Sequence, residues 1–199
     1  MSGSRSIPVP APPPSRIEQV TTSACGSPGL RERTADLADA VDDPPMGIQI
    51  RRLQRGTEAE FVTGLQWLFD PPGSRPPDWD RDRAVERTAQ VLADENAALF
   101  AARSPENQLV GVASIYLDIV SVRFGRRASI EDLAVHPEWR SQGVGAGLLA
   151  TAKEWAQEHG ADYIFLESGI GRTEAHRFYV RQGATHAAAA FRWTTGQPR

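Results

Sequence analysis

At 199 residues, 40% of them hydrophobic and 24% charged, the chain has the size and balance of one globular domain with a sizeable core. Its formal net charge of −3 lacks the Lys and Arg surplus of a phosphate-backbone binder, so no nucleic-acid partner is expected. No apolar run approaches the roughly 18 residues of a membrane span, the first residues do not resemble a secretory signal, and the lone Cys25 has no disulfide partner; a cytoplasmic protein without a membrane partner is the expectation.

Residues 1–46 are rich in Pro, Ser, Ala and Asp, with "PAPPPS" and "DDPP" near their ends and few large apolar residues, and are expected to form a disordered tail. Met46 directly precedes the first strand-like run and is a candidate translation start. From 47 to 199 the pattern is that of a folded domain. "IQIRRL" alternates like a strand, and "EAEFVTGLQWLF" spaces Phe61, Leu65, Leu68 and Phe69 as a helix before the stop "DPPG". "DRAVERTAQVLADEN" predicts a second helix with Val85, Ala89 and Leu92 on one face. "AALFAAR" and "QLVGVASIYLDIV", joined by the turn "SPEN", predict an antiparallel hairpin.

The turn "RFGRR" leads into a further strand, "ASIEDLAV". "GVGAGLLATAKEWAQEH" repeats apolar residues at Val144, Leu148, Leu149, Ala152, Trp155 and Ala156, with Gly160 as its C-terminal cap. "DYIFLES" predicts a buried strand, "TEAHRFYVRQG" a short helix capped by Thr173 and ended by Gly183, and "HAAAAFRWTT" a last strand. The order βααβββαβαβ gives an α/β fold (α+β mixed sheet) flanked by helices, with one parallel crossover between "ASIEDLAV" and "DYIFLES".

The stretch "RSQGVGAGLL" (140–149) sets three glycines at the start of the long helix. Glycines let a ligand approach the backbone, and the first amides of a helix have no intrahelical partner. The helix dipole and Arg140 add positive charge there, so the expected ligand is a phosphate or diphosphate. A P-loop is excluded because Leu148, not Lys, follows Gly147. A dinucleotide turn is disfavoured by the G-V-G-A-G spacing and by "HPEWRSQ" between strand and first glycine, although Glu167 stands where a ribose-binding acid would. Coenzyme A and a glycine start used only for close packing remain.

"LAVHPEWRSQGVGAGLL", preceded by "SIED" and followed by "FLESGIGRTEAHRFYVRQGA", resembles the GCN5-related N-acetyltransferase (GNAT) superfamily over residues 47 to about 195, with the signature Arg/Gln-x-x-Gly-x-Gly/Ala met by Arg140, Gly143 and Gly145. The resemblance implies that acetyl-CoA is the acyl donor. Its diphosphate would lie on Arg140, Ser141, Gln142, Gly143, Val144, Gly145, Ala146 and Gly147, and its pantetheine arm along the main chain of Leu133, Ala134 and Val135. The cofactor would enter a gap where "DLAV" splays from "DYIFLES". No metal is implied, and His136, His159, His176 and His186 lack ligand spacing.

Acetylating an amine requires an unprotonated nitrogen and a proton for the leaving thiolate. Glu131 is the expected base, since similar Glu-Asp pairs precede this strand in polyamine acetyltransferases; strand alternation puts Glu131 and Asp132 on opposite faces. Tyr179, at the family's "FY" position, is the expected acid. Many relatives carry Asn where this chain has Arg172, so the pantetheine contact of that Asn is not carried over; Arg172 is expected either to meet a CoA phosphate or to be solvated. Acceptor choice is assigned by the resemblance to the segment "FDPPGSRPPDWDRD", in which Asp78, Trp79 and Asp80 are the candidate contacts, while Arg75, Arg81 and Arg83 nearly cancel its acids. The expected acceptor is a primary amine of a small cationic molecule, polyamine-like or aminoglycoside-like. A protein N-terminus or lysine is the rival enzyme reading, and a non-catalytic acyl-CoA-binding module the rival of another class. A homodimer is an expectation from the family alone.

Overall fold

A computed structural model describes residues 47–185. The expected tail over 1–46 and the expected last strand over 186–195 lie outside the described residues. Five strands form one sheet in the order of the chain: β1 (Gln49–Arg52), β2 (Ala97–Arg103), β3 (Leu109–Ser121), β4 (Gly125–Val135) and β5 (Tyr163–Leu166). Strands β1 to β4 pair antiparallel with their neighbours, and β5 joins β4 in parallel after the crossover helix α3 (Val144–Glu158). The other helices are α1 (Glu58–Leu65), continued by a 3-10 turn over Gln66–Leu68, α2 (Arg81–Val91) and α4 (Thr173–Arg181).

The mixed sheet is buried on both faces, which explains why "AALFAA" in β2 is apolar without alternation. Ala98, Phe100 and Ala102 point to one side, where Val144, Leu148, Ala152 and Trp155 of α3 cover them. Leu99 and Ala101 point to the other, against Phe61 of α1. Full burial of a side chain such as Leu148 contributes roughly 1.5–3 kcal/mol, so α3 is fixed to the sheet along its whole apolar stripe.

The departures from expectation include a strand start, a helix face and a cap. Strand β4 begins at Gly125 instead of Ala128, because Arg127 and Ser129 both bind Asp118 of β3 and Arg127 lies over the Phe165 ring, so polar residues extend the pairing. The buried face of α2 is Ala84 and Thr88, one residue out of step with the expected Val85 and Ala89; Thr88 fits because its Oγ1 donates to the Ala84 carbonyl at 2.8 Å. Helix α4 is entered through Arg172, not capped by Thr173, which is its first residue.

Close helix-to-sheet contact depends on Gly111 of β3. A Cβ there would come within 2.8 Å of Leu148 Cδ1 and 3.1 Å of Val144 Cγ1, both at the start of α3. Gly111→Ala is therefore expected to cost about 1–3 kcal/mol of stability in urea denaturation, with the slope against denaturant unchanged.

Candidate active site

Strand β4 runs through a single 3-10 turn, Pro137–Trp139, into the start of α3. Gly143 is the N-cap, with φ of 80°, and no side chain caps the helix. In α2, by contrast, the Asp80 carboxylate accepts from the Arg83 N–H at 2.8 Å. The Gly147 N–H donates to Gly143 O at 2.9 Å and is committed to the helix, which leaves the amides of Gly143, Val144, Gly145 and Ala146 without a carbonyl one turn back. Ser141 also has a left-handed φ of 59°, a conformation that costs a non-glycine residue about 1–2 kcal/mol. Gln142 Nε2 holds this turn by donating to Glu138 O at 2.6 Å. The result is a fixed cluster of donors at a positive helix end, with Arg140 beside it.

Strands β4 and β5 pair only from Arg127↔Tyr163 to Ile130↔Leu166. β4 then continues five residues further, so its edge from Glu131 onward is not covered by β5. The His136 N–H donates to Val110 O, which fixes the alternation along the β3 side: Ala134 directs its main-chain groups to Val112, whereas Leu133 and Val135 direct theirs to the open edge. Of that edge, the Val135 carbonyl accepts from Arg140 Nε at 3.2 Å. Ser168, two residues past the end of β5, has a buried hydroxyl with no hydrogen-bond partner among the described residues.

Where the strands part, the register of β3 against β4 slips: Ser114 pairs with Asp132 but Ile115 pairs with Ile130. Glu131 is thus the extra residue of a β-bulge, and it is exposed. Asp132 is more buried. Its Oδ2 accepts from Ser114 Oγ at 2.9 Å, and its own N–H donates back to that oxygen at 3.0 Å. Burial pushes the Asp132 carboxyl up to about 6; the Ser114 hydrogen bond opposes the rise and the Glu131 charge adds to it. The nearby Tyr116 phenol is pushed up to about 12, again first by burial and then by the Asp132 charge. Alternation in the sequence separates the two carboxylates but does not foretell the bulge, and nothing local to "SIED" points to Ser114, 18 residues earlier.

Tyr179 lies on α4 beside Phe178, whose ring approaches the start of α3: a Cβ on Gly145 would be 3.6 Å from Phe178 Cζ. Burial raises the Tyr179 pKa, while the Arg172 charge acts in the opposite direction. The phenol therefore keeps its proton at neutral pH. Arg172 itself donates from Nη2 to Leu68 O at 2.8 Å. In the acceptor segment, Trp79 packs edge-to-face on Phe69 at 4.7 Å, Asp78 is exposed, and Asp80 is occupied as the cap of α2. Arg81 reaches away to Thr63 Oγ1 at 3.2 Å.

Residues 61–184 match the Acetyltransferase (GNAT) family. The uncharacterized N-acetyltransferase YhdJ of Bacillus subtilis (strain 168) is 33% identical over 114 residues, 57% of this chain and 79% of the relative. Aminoglycoside N(6')-acetyltransferase type 1 of Stenotrophomonas maltophilia is 31% identical over 121 residues, 58% of this chain and 72% of that enzyme. In fold, the chain is similar to an aminoglycoside N-acetyltransferase solved in complex with CoA, with a TM-score of 0.65 at 16% identity, over 74% of this chain and 94% of that one. Because the matched residues run from within α1 to just past α4, the chain belongs to the GNAT acetyltransferase family and is an acetyl-CoA-dependent acyltransferase.

Proposed function

We propose that this enzyme moves an acetyl group from acetyl-CoA to a primary amine of a small cationic acceptor, aminoglycoside-like or polyamine-like. The observation that carries the reading is the position of Glu131: an exposed carboxylate in a β-bulge, at the point where β4 leaves β5 and upstream of an uncapped helix start on the same strand. The similarity to the Stenotrophomonas aminoglycoside acetyltransferase supports the acceptor class, as do the acids Asp78 and Glu131, which favour a cationic amine.

The residues fit acetyl-CoA, which when bound supplies an acetyl group activated as a thioester. The free amides of Gly143 to Ala146, with Arg140, hold the diphosphate. The outward main-chain groups of Leu133 and the Val135 N–H would hold the pantetheine arm, the Val135 carbonyl being engaged by Arg140. Glu131 takes the proton from the acceptor nitrogen as that nitrogen bonds to the acetyl carbon. Tyr179, protonated at neutral pH, gives its proton to the sulfur as the carbon–sulfur bond breaks. Asp78 and Trp79 contact the acceptor, and Asp80 contributes field from its capping position. Thiol release from acetyl-CoA, followed with aminoglycosides, polyamines and peptides bearing a free N-terminus or lysine, tests the reading: turnover with one of the first two classes is expected, and turnover with peptides alone would overturn the acceptor.

Glu131→Gln is expected to lower kcat by about 10² to 10⁴ with acetyl-CoA affinity unchanged, as measured by turnover and calorimetry. Tyr179→Phe should lower kcat by about 10² or more and leave the acceptor KM within about twofold.

Asp132 yields a prediction with a defined sign. Its folded pKa lies above the ordinary 3.8, at about 6, so its contribution to stability is complete below pH 3.8 and is lost as pH rises through 6. Asp132→Asn removes that loss while keeping an acceptor for Ser114. Thermal denaturation at pH 4 and pH 8 should show the variant gaining on the parent at the higher pH, by up to roughly 3 kcal/mol.

A further inference from the structure

Arg172 stands just before α4, seven residues ahead of Tyr179, and its guanidinium is engaged by the turn that follows α1. Its Nη2 donates to the carbonyl of Leu68, 104 residues earlier, in a partly buried hydrogen bond. Leu68 closes the 3-10 turn after α1 and begins the segment 68–73. That segment is folded on itself: Gly73 N–H donates to Asp70 O at 2.7 Å, and Phe69 carries the Trp79 ring. Gly73 has no room for a side chain, since a Cβ there would overlap both Leu68 O and Arg172 Nη2. Pro72 approaches Gly171, so the same segment rests on the loop that follows β5.

Its other end reaches β4. The Trp67 ring packs edge-to-face on His136 at 5.2 Å, and Arg140 Nη2 lies 3.5 Å from the Trp67 carbonyl. Residues 67–73 therefore bridge the end of β4 and the loop after β5, across the mouth of the gap between the two strands. The only guanidinium joining that strap to the helix of Tyr179, among the described residues, is that of Arg172.

We infer that Arg172 is a positioning residue, which sets the strap 68–73 against α4 and thereby fixes the acceptor's approach to Tyr179, and that it is not a ligand of a CoA phosphate. A guanidinium suits this task because it can hold a carbonyl at a turn end while keeping its charge. The acceptor part of this inference rests on the amine-transfer reading above; the clamp itself does not.

Arg172→Ala is expected to raise the acceptor KM about tenfold or more while the acetyl-CoA Kd stays within about twofold. Hydrogen exchange at the Phe69 and Gly73 amides should rise about tenfold or more, with β2 and β3 unaffected. Gly73→Ala, which pushes the clamp open from the strap side, should reproduce both changes, and Arg172→Lys should restore part of each. A tenfold loss of acetyl-CoA affinity with strap exchange and acceptor KM unchanged would overturn the inference in favour of a phosphate contact. If the parent enzyme acetylates none of the amines tried, the amine-transfer reading fails by itself. The exchange experiment still decides the clamp: faster strap exchange supports it and unchanged exchange overturns it.

Discussion

The site depends on one constraint: α3 begins with no cap at a place where it cannot move. Its apolar stripe, from Val144 through Leu148 and Ala152 to Trp155, is buried against the sheet, and Gly111 lets it sit close. Gly143 turns into the helix with a left-handed φ, and no side-chain oxygen competes for the amides that follow. Because those amides are positioned by the core and not by a loop, an anion that binds there meets donors whose ordering is already complete. This is the preorganisation that favours tight binding of a phosphate at a helix end.

A second consequence follows from the same strand. β4 leads through the Pro137–Trp139 turn to the donors of α3 and parts from β5 halfway along, and the bulge falls at the parting. The extra residue is Glu131, so a carboxylate is turned outward where the ladder stops, while its neighbour Asp132 is held inward by Ser114. Two adjacent acids thus sit in different surroundings. One is open to a cationic amine; the other is held inward, where burial raises its pKa to about 6. Tyr179 stands on α4, where the neighbouring Phe178 approaches Gly145 at the start of α3.

The parts legible in the sequence were those written in short-range pattern. The stripe of α3, the hairpin around "SPEN" and the glycine turn all rest on spacing within about twenty residues, and the parallel crossover on the strand–helix–strand order. The features that escaped depend on pairing across the fold. Arg127 extends β4 only because Asp118 of β3 and Phe165 of β5 flank it. The bulge at Glu131 arises from register against Ser114 and Ile115, which alternation within "SIED" cannot express. Asp80 reads as one acid among several in the acceptor segment, yet it caps α2, a role that an Asp directly before a helix already signals. Arg172 stands where many relatives carry Asn, which points to a CoA phosphate or to solvent; its hydrogen bond to Leu68, 104 residues earlier, lies too far away in the chain to be foreseen.

The central claim, that the α3 amides hold the diphosphate of acetyl-CoA, is tested most directly by amide chemical shifts during titration with the cosubstrate. The account predicts downfield shifts of the Gly143 to Ala146 amide protons, as expected when they donate to phosphate oxygens, with the Ala134 amide, paired to Val112, nearly still. Saturable binding of acetyl-CoA that left all four of those amides unmoved would contradict it.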